Sequence, residues 1–433
     1  METIMNKARF LPDLPPETLA SIQLDGLRWS VNQAIRNPVY AARLAAAGIT
    51  CGDDIHTLSD LRRLPFTTVE DLRDGYPLPL LCVPPEEIVR IHASSGTTGK
   101  RKVLAYTKRD VDTFSLQMAR CLELAGLTPE DRVQIAVGYG VWSAGAGFQA
   151  GIERFGAMAI PVGPGNLDMQ LQLLCDMQAT CLCCTASMAL LMAEEVERHN
   201  LRGKLALRKV IFGSEPHSLK MRETFTRKLG LEKTFDIAGM TEMYGPGTGL
   251  NCEVGEGIHY WGDLFIHEVI DPYTGENVPD GEVGELVVTS LRKEAIPLIR
   301  YRTHDLTRLI PEPCSCGRAI PRHGYIRGRS DDMIIYRGVN IYPGQLADVL
   351  HDFPEAGGEY QVELTRKAGM DYMFMKVERA ADATAGDDVN LARRISMELH
   401  NRIMARIEVE IADYGSLPRA FGKSKRVTDK RFD

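Results

Sequence analysis

The sequence predicts an α/β protein with a large N-terminal domain of mostly parallel sheets plus a β-rich subdomain, followed by a small C-terminal α+β domain. Three observations lead there. Apolar β-like runs alternate with longer helix-suited stretches between 133 and 237, the rhythm turns β-rich from about Gly257 to Ile310, and beyond Gly328 short strands and helical patterns close the chain. At 433 residues the chain exceeds what one hydrophobic core usually serves, and 44% hydrophobic content can fill more than one.

The opening helix is read from Leu27, Val31 and Ile35, spaced four apart, before a Pro-rich passage reaches Pro84 and Pro85. Then come the runs Val133–Val137, Ala157–Val162, Thr180–Thr185, Val210–Phe212 and Thr234–Ile237. Their alternation with helices predicts a largely parallel sheet covered on both faces, with ligands collecting beyond the carboxyl ends of the strands. The turn signals Asp271-Pro272-Tyr273-Thr274-Gly275 and Pro279-Asp280-Gly281 mark an antiparallel subdomain, about 257–328. The last unit reads as strand Met333–Tyr336, a helix near Gln345–Leu350, strands Tyr360–Thr365 and Tyr372–Val377, and a helix from about Val389 to Arg406. The expected domains are therefore 1–328 and 329–433.

Composition removes some functions. With 51 basic against 58 acidic residues and a net charge of −7, the composition argues against a nucleic-acid binder that works by phosphate neutralisation. No apolar run is long enough to cross a membrane and the amino terminus lacks a signal-peptide core, so a cytoplasmic enzyme with no membrane partner is expected. A homodimer is compatible with the sequence. The ten scattered cysteines do not form a disulfide framework.

Five polar segments carry chemistry. In Ser94-Ser95-Gly96-Thr97-Thr98-Gly99-Lys100-Arg101-Lys102, glycines let backbone N–H groups approach an oxyanion, hydroxyls add donors and cations neutralise charge, so the run is suited to phosphate. Its spacing is not that of the Walker loop. Asp236-Ile237-Ala238-Gly239-Met240-Thr241-Glu242 ends a strand with a hydroxyl and a carboxylate, either a magnesium site beside a triphosphate or a plain helix start. Asp305, in Tyr301-Arg302-Thr303-His304-Asp305, either accepts ribose hydroxyls or pairs with an arginine. The fourth and fifth segments are Gly328-Arg329-Ser330-Asp331-Asp332-Met333-Ile334 and Gly422-Lys423-Ser424-Lys425-Arg426.

In order and spacing these segments resemble the adenylate-forming superfamily of acyl-CoA synthetases, luciferases and adenylation domains, and within it the phenylacetate-CoA ligase branch. Phe212-Gly213-Ser214-Glu215-Pro216, Gly245-Pro246-Gly247, Cys314-Ser315-Cys316-Gly317-Arg318 and Arg337-Gly338-Val339-Asn340-Ile341-Tyr342-Pro343 extend the likeness over nearly the whole chain. The resemblance implies that a carboxylate attacks the α-phosphorus of ATP, giving an acyl-adenylate and pyrophosphate, and that coenzyme A thiol then displaces AMP. It implies that Ser94, Ser95, Gly96, Thr97, Thr98, Gly99 and Lys102 cradle the β- and γ-phosphates. Glu242 would hold Mg²⁺ and Thr241 would contact the α-phosphate. Gly213, Ser214, Glu215 and Pro216, with Asp236, Ala238, Gly239 and Met240, would line the nucleotide. Asp305 and Arg329 would hold the ribose, Lys423 would catalyse adenylation from a mobile C-terminal domain, and Asp331 would be its hinge. Without the resemblance, Lys423 also fits a solvated lysine in a basic tail.

Two positions depart from the branch: Ala238 replaces a tyrosine whose ring stacks on adenine, and His304 replaces an arginine. The resemblance places Tyr139, Gly140, Val141, Trp142, Ile160, Pro161, Gly245 and Pro246 around the acid. That mix suits an aromatic or arylacetic acid, although Tyr139 and Trp142 also fit core packing. Cys252, His259, Cys314 and Cys316 could form a structural zinc site, with His267 or His323 as substitutes for His259, or remain free cysteines in loops. Cys181, Cys183 and Cys184 read as small core residues. Two other functions fit the motifs: adenylation with an acceptor other than coenzyme A, and a degenerate nucleotide-binding protein.

Overall fold

The structure, a computed structural model, describes residues 9–94, 101–215, 217, 219–337, 339–367, 369–418 and 426–431. Its largest sheet has nine strands, and the five at one side, Met158–Ile160, Arg132–Ile135, Cys181–Thr185, Lys209–Gly213 and Lys233–Met240, run parallel. These are the five alternating runs of the sequence. Cys181, Cys183 and Cys184 are buried within the third of them as core residues. The run read as Ala157–Val162 ends at Ile160, where Pro161 follows with no N–H to give to a neighbour.

The other four strands are antiparallel, which the sequence reading did not anticipate. The reason is local. After Lys233–Met240 only the short turn Thr241–Met243 intervenes before Gly245–Asn251, and a parallel return needs a crossover of about a dozen residues. The chain therefore folds straight back, and the carboxyl end of one strand leads directly into the next.

Helices Lys108–Leu124 and Ser143–Phe155 belong to one core, whereas Leu167–Asp176, Ala186–Arg198 and Leu219–Leu229 enclose a second on the other face. Helix Pro16–Ala34 buries Leu27 and Val31 in the first core. A four-stranded antiparallel sheet, Phe265–Ile270, Gly284–Ser290, Tyr301–Thr307 and Gly328–Arg329, realises the β-rich region. Its turn at Asp271 is built by the carboxylate, whose Oδ1 accepts the N–H groups of Tyr273 and Thr274 at 2.8 Å each. Towards the carboxyl end, Glu408–Ala412, Met370–Arg379, Ala356–Lys367 and Val427–Asp429 form a four-stranded sheet whose core includes residues of helices Pro343–His351 and Asp388–Ile403.

Candidate active site

The phosphate-like run is the connection of a hairpin. Arg90–Ala93 pairs antiparallel with Val103–Tyr106, Ala93 faces Val103, and the Ser94 N–H donates to the Lys102 carbonyl at 3.1 Å. Both ends of the loop are thus clamped together. Ser94 Oγ is buried and has no hydrogen-bond partner among the described residues. Ser95, Gly96, Thr97, Thr98 and Gly99 lie outside the described residues, as do Pro216 and Lys423.

Lys102 is brought against Glu242, with which it forms a close ion pair. Tyr301 Oη donates to Glu242 Oε1 at 3.1 Å. Burial alone would raise the Glu242 pKa, but the Lys102 ammonium and these hydrogen bonds outweigh it and hold the carboxyl below its ordinary value. Glu242 is therefore an ionised carboxylate inside the protein. Thr241 is buried beside it, with its carbonyl accepting from Tyr106 Oη at 2.9 Å and its hydroxyl 3.3 Å from Ser143 Oγ. A carboxylate with an adjoining hydroxyl is a hard oxygen donor set, which fits Mg²⁺.

Sequence reasoning passes over Lys293. Its Nζ is fully buried, lies 4.4 Å from the Tyr106 ring centre and 4.9 Å from that of Tyr244, and has no hydrogen-bond partner among the described residues. Burial pushes its pKa down to about 8, opposed by the charges of Asp110 and Glu242. In the sequence Lys293 stands between Arg292 and Glu294 and reads as part of a solvated charged turn, which gives no sign of its burial.

Gly213 ends the strand Lys209–Gly213, Ser214 and Glu215 follow it, and the adjoining strand sets Asp236 opposite Phe212. The carboxyl-end rule thus gathers these four residues at one edge. Ser214 has a φ of 72°, and the buried Glu215 carboxylate accepts the Ser187 N–H at 2.6 Å. Asp236 lies 3.7 Å from His217; burial raises its pKa and the imidazole opposes that shift. Further along the same strand Ala238 and Met240 are half-buried and Gly239 is exposed.

Asp305 faces Arg329 in strand register and accepts from its Nη1 at 3.1 Å. The same guanidinium donates twice to Asp331, at 2.8 Å each. One arginine therefore joins the ribose candidate to the hinge candidate. His304 meets Ser330 Oγ at 3.1 Å and Glu285 at 3.6 Å, a satisfied histidine whose pKa is raised by that carboxylate. A raised value means that the pair stabilises the fold fully below the ordinary histidine pKa and loses that contribution as pH rises through the folded one. His304→Gln should accordingly destabilise the protein at pH 5.5 and hardly at pH 9, as read by denaturant midpoints; equal losses at both would exclude a charged pair.

The acid-pocket candidates are divided. Tyr139 and Trp142 pack against the first core, and Tyr139 Oη is buried without a partner among the described residues. A Cβ on Gly138 would meet the Trp142 ring at 2.7 Å, and one on Gly147 would meet Pro246 at 2.6 Å, so ring and proline approach bare backbone. Gly245 lies under Phe114 and Ser143. Gly140, at a φ of 82°, has open space, and Val141 is exposed. Ile160, by contrast, is buried in the second core, and Pro161 is exposed. Strand alternation places Ile160: Ala159 packs against the first core, and the next residue of the strand points to the opposite face.

Cys252, His259, Cys314 and Cys316 converge, with their ligand atoms all within 4.8 Å of one another. The Sγ atoms of Cys252 and Cys314 are 3.6 Å apart, and Cys316 Sγ is 3.6 Å from His259 Nε2. Zinc bonded to sulfur at about 2.3 Å and nitrogen at about 2.0 Å gives tetrahedral edges of about 3.8 and 3.5 Å. His259 Nδ1 is 2.9 Å from the Ile320 carbonyl, which can only accept. The proton therefore sits on Nδ1 and the Nε2 lone pair faces the thiols. Neither His323, which donates to the Gly324 carbonyl, nor His267, which stacks on Tyr260 with ring centres 3.8 Å apart, belongs to the converging group.

Residues 40–291 match the family model described as AMP-binding enzyme, and residues 338–431 match that of the AMP-binding enzyme C-terminal domain. The phenylacetate-coenzyme A ligase of Escherichia coli K12 is 41% identical over 96% of this chain and 95% of its own length. That of Pseudomonas putida is 40% identical over 96% and 95%. Among solved structures, 2-hydroxyisobutyryl-CoA ligase in the postadenylation state superposes with a TM-score of 0.89 at 27% identity, covering 97% of this chain and 91% of that one. The same ligase in its thioesterification state scores 0.70 at 28% identity and the same coverage. No helix among the described residues is long and apolar enough to cross a membrane.

Proposed function

The chain belongs to the AMP-binding enzymes and is an ATP-dependent, AMP-forming acid–CoA ligase, and from that premise we propose that its acid is aromatic or arylacetic and that the residues above divide the work as follows. The observation that carries this reading is the buried Lys102–Glu242 pair, which joins the phosphate-like loop to the strand-end carboxylate. Lys102 and Ser94, with the loop between them, hold the terminal phosphates; Gly213, Ser214, Glu215, Pro216, Asp236, Ala238, Gly239 and Met240 border the base; Asp305 and Arg329 take the ribose. Mg²⁺ held at Glu242 and Thr241 would supply charge neutralisation for the leaving pyrophosphate. Glu242 stays ionised for that task, and Tyr301 fixes its orientation. Tyr139, Gly140, Trp142, Gly245 and Pro246 shape a flat slot for the ring.

The domains divide at 328/329, and the present arrangement is read as the one that follows adenylation. The second half-reaction, in which the coenzyme A thiolate attacks the acyl carbon and expels AMP, needs the C-terminal domain turned about Asp331. The Cys252–His259–Cys314–Cys316 cluster holds structural zinc, because four protein ligands leave no open position.

Pyrophosphate release across aromatic and aliphatic acids, with and without coenzyme A, tests the reading. Release with phenylacetate or benzoate and coenzyme A-dependent AMP formation is expected; preference for short aliphatic acids would overturn the aryl assignment. Lys423→Ala should lower adenylate formation by at least about a hundredfold while sparing thioester formation from supplied acyl-adenylate. Equal loss of both steps would remove Lys423 from its role.

A further inference from the structure

The C-terminal part is tied to the large sheet's helices by contacts that the chemistry above does not use. Lys220, in the first turn of helix Leu219–Leu229, donates from Nζ to the carbonyls of Phe353, Pro354 and Ala356. An ammonium has three protons, so these three bonds use all of them. The three carbonyls sit where helix Pro343–His351 gives way to strand Ala356–Lys367. Beside them Gly358 rests on helix Leu219–Leu229, since a Cβ there would lie 3.5 Å from Met221 Cβ.

A second tie lies on the neighbouring helix, Ala186–Arg198. Tyr414 Oη donates to Glu194 at 2.6 Å, and Lys228, ion-paired with Glu197 at 2.6 Å, lies 5.9 Å from the Tyr414 ring centre. Both ties therefore fasten C-terminal backbone or ring to polar groups on two adjacent helices, far along the sequence from Asp331. A hinge alone allows rotation; contacts at a distance from it select one angle.

We infer that Lys220, assisted by the Glu194–Tyr414 contact, is a positioning residue that latches the C-terminal domain in the arrangement described here and sets the balance between the two half-reactions. The inference rests on the two-step reading. In the thioester-forming orientation the Phe353–Ala356 turn leaves Lys220, so the bonds stabilise one orientation only, and only such differential contacts shift the equilibrium between two states.

The test uses the full chain with phenylacetate as the acid. Lys220→Met should slow pyrophosphate release about tenfold and leave thioester formation from supplied phenylacetyl-adenylate unchanged or faster, whereas Lys220→Arg keeps most of the bias. Tyr414→Phe, a change at a partly exposed ring, should move the ratio in the same direction by about threefold. Small-angle X-ray scattering of the ligand-free protein adds a readout independent of turnover: Lys220→Met should enlarge the radius of gyration. Proportional loss of both half-reactions, or an unchanged ratio with an unchanged scattering profile, overturns the latch. A chain that turns over no aryl acid yet opens on Lys220→Met refutes the substrate assignment and keeps the latch.

Discussion

Glu242→Gln should lower pyrophosphate release by about a hundred- to a thousandfold, measured at saturating acid with magnesium varied over a wide range. The carboxylate is buried and ionised only because Lys102 and Tyr301 support its charge. A neutral amide keeps the shape but offers the metal one weak oxygen and leaves the Lys102 ammonium facing a dipole. The fold should lose about 1–3 kcal/mol, the usual cost of removing one partner of a charged hydrogen bond. Because the folded pKa of Glu242 is depressed, the stability it contributes is present above the ordinary carboxylate value and fades as pH falls through the folded one. The wild-type protein should therefore lose more stability between pH 6 and pH 3 than the variant. A variant that adenylates within threefold of wild type, with unchanged magnesium dependence, would sink the assignment of Glu242 to the metal.

Removal of the metal from the cysteine–histidine cluster is the second large effect. Protein purified without added zinc should contain about one zinc per chain, and Cys314→Ser should release it and lower the melting temperature by roughly 10 °C. The size of the effect follows from topology. Cys252 directly follows strand Gly245–Asn251, His259 lies in Ile258–Tyr260, and Cys314 and Cys316 lie in the turn that precedes Arg322–His323. These three strands are neighbours at the antiparallel side of the large sheet, so a metal held by the four residues would pin the return that gives the sheet this edge. Full occupancy by another metal, or none with unchanged melting, would refute structural zinc.

The parallel strands were legible because each is a short, largely apolar run separated from the next by a helix-suited stretch, and the strand-end rule then pointed to Gly213, Asp236 and Glu242. The antiparallel side was not, because Gly245-Pro246-Gly247-Thr248-Gly249 has too few side chains to show a period. Ile160 was assigned to the acid by position in the family pattern, whereas its direction is decided by the pleat and sends it into the other core. Lys293 illustrates a further limit, since its place between Tyr106 and Tyr244 depends on residues far apart in sequence. The members of the cysteine–histidine cluster were named by residue type alone; that His259 rather than His323 meets the three thiols depends on the fold.

The Arg329 fork has a thermodynamic consequence. Its guanidinium is shared between Asp305 and Asp331, so whatever takes Asp305 alters how strongly Arg329 holds Asp331. Linkage makes this reciprocal: if a ribose at Asp305 loosens the grip on Asp331 by some factor, a swing that frees Asp331 must change nucleotide affinity by that same factor. If Asp305 takes the ribose and Asp331 is the hinge, as proposed, nucleotide binding and domain rotation share a single coupling energy, and measuring its effect on either equilibrium gives its effect on the other.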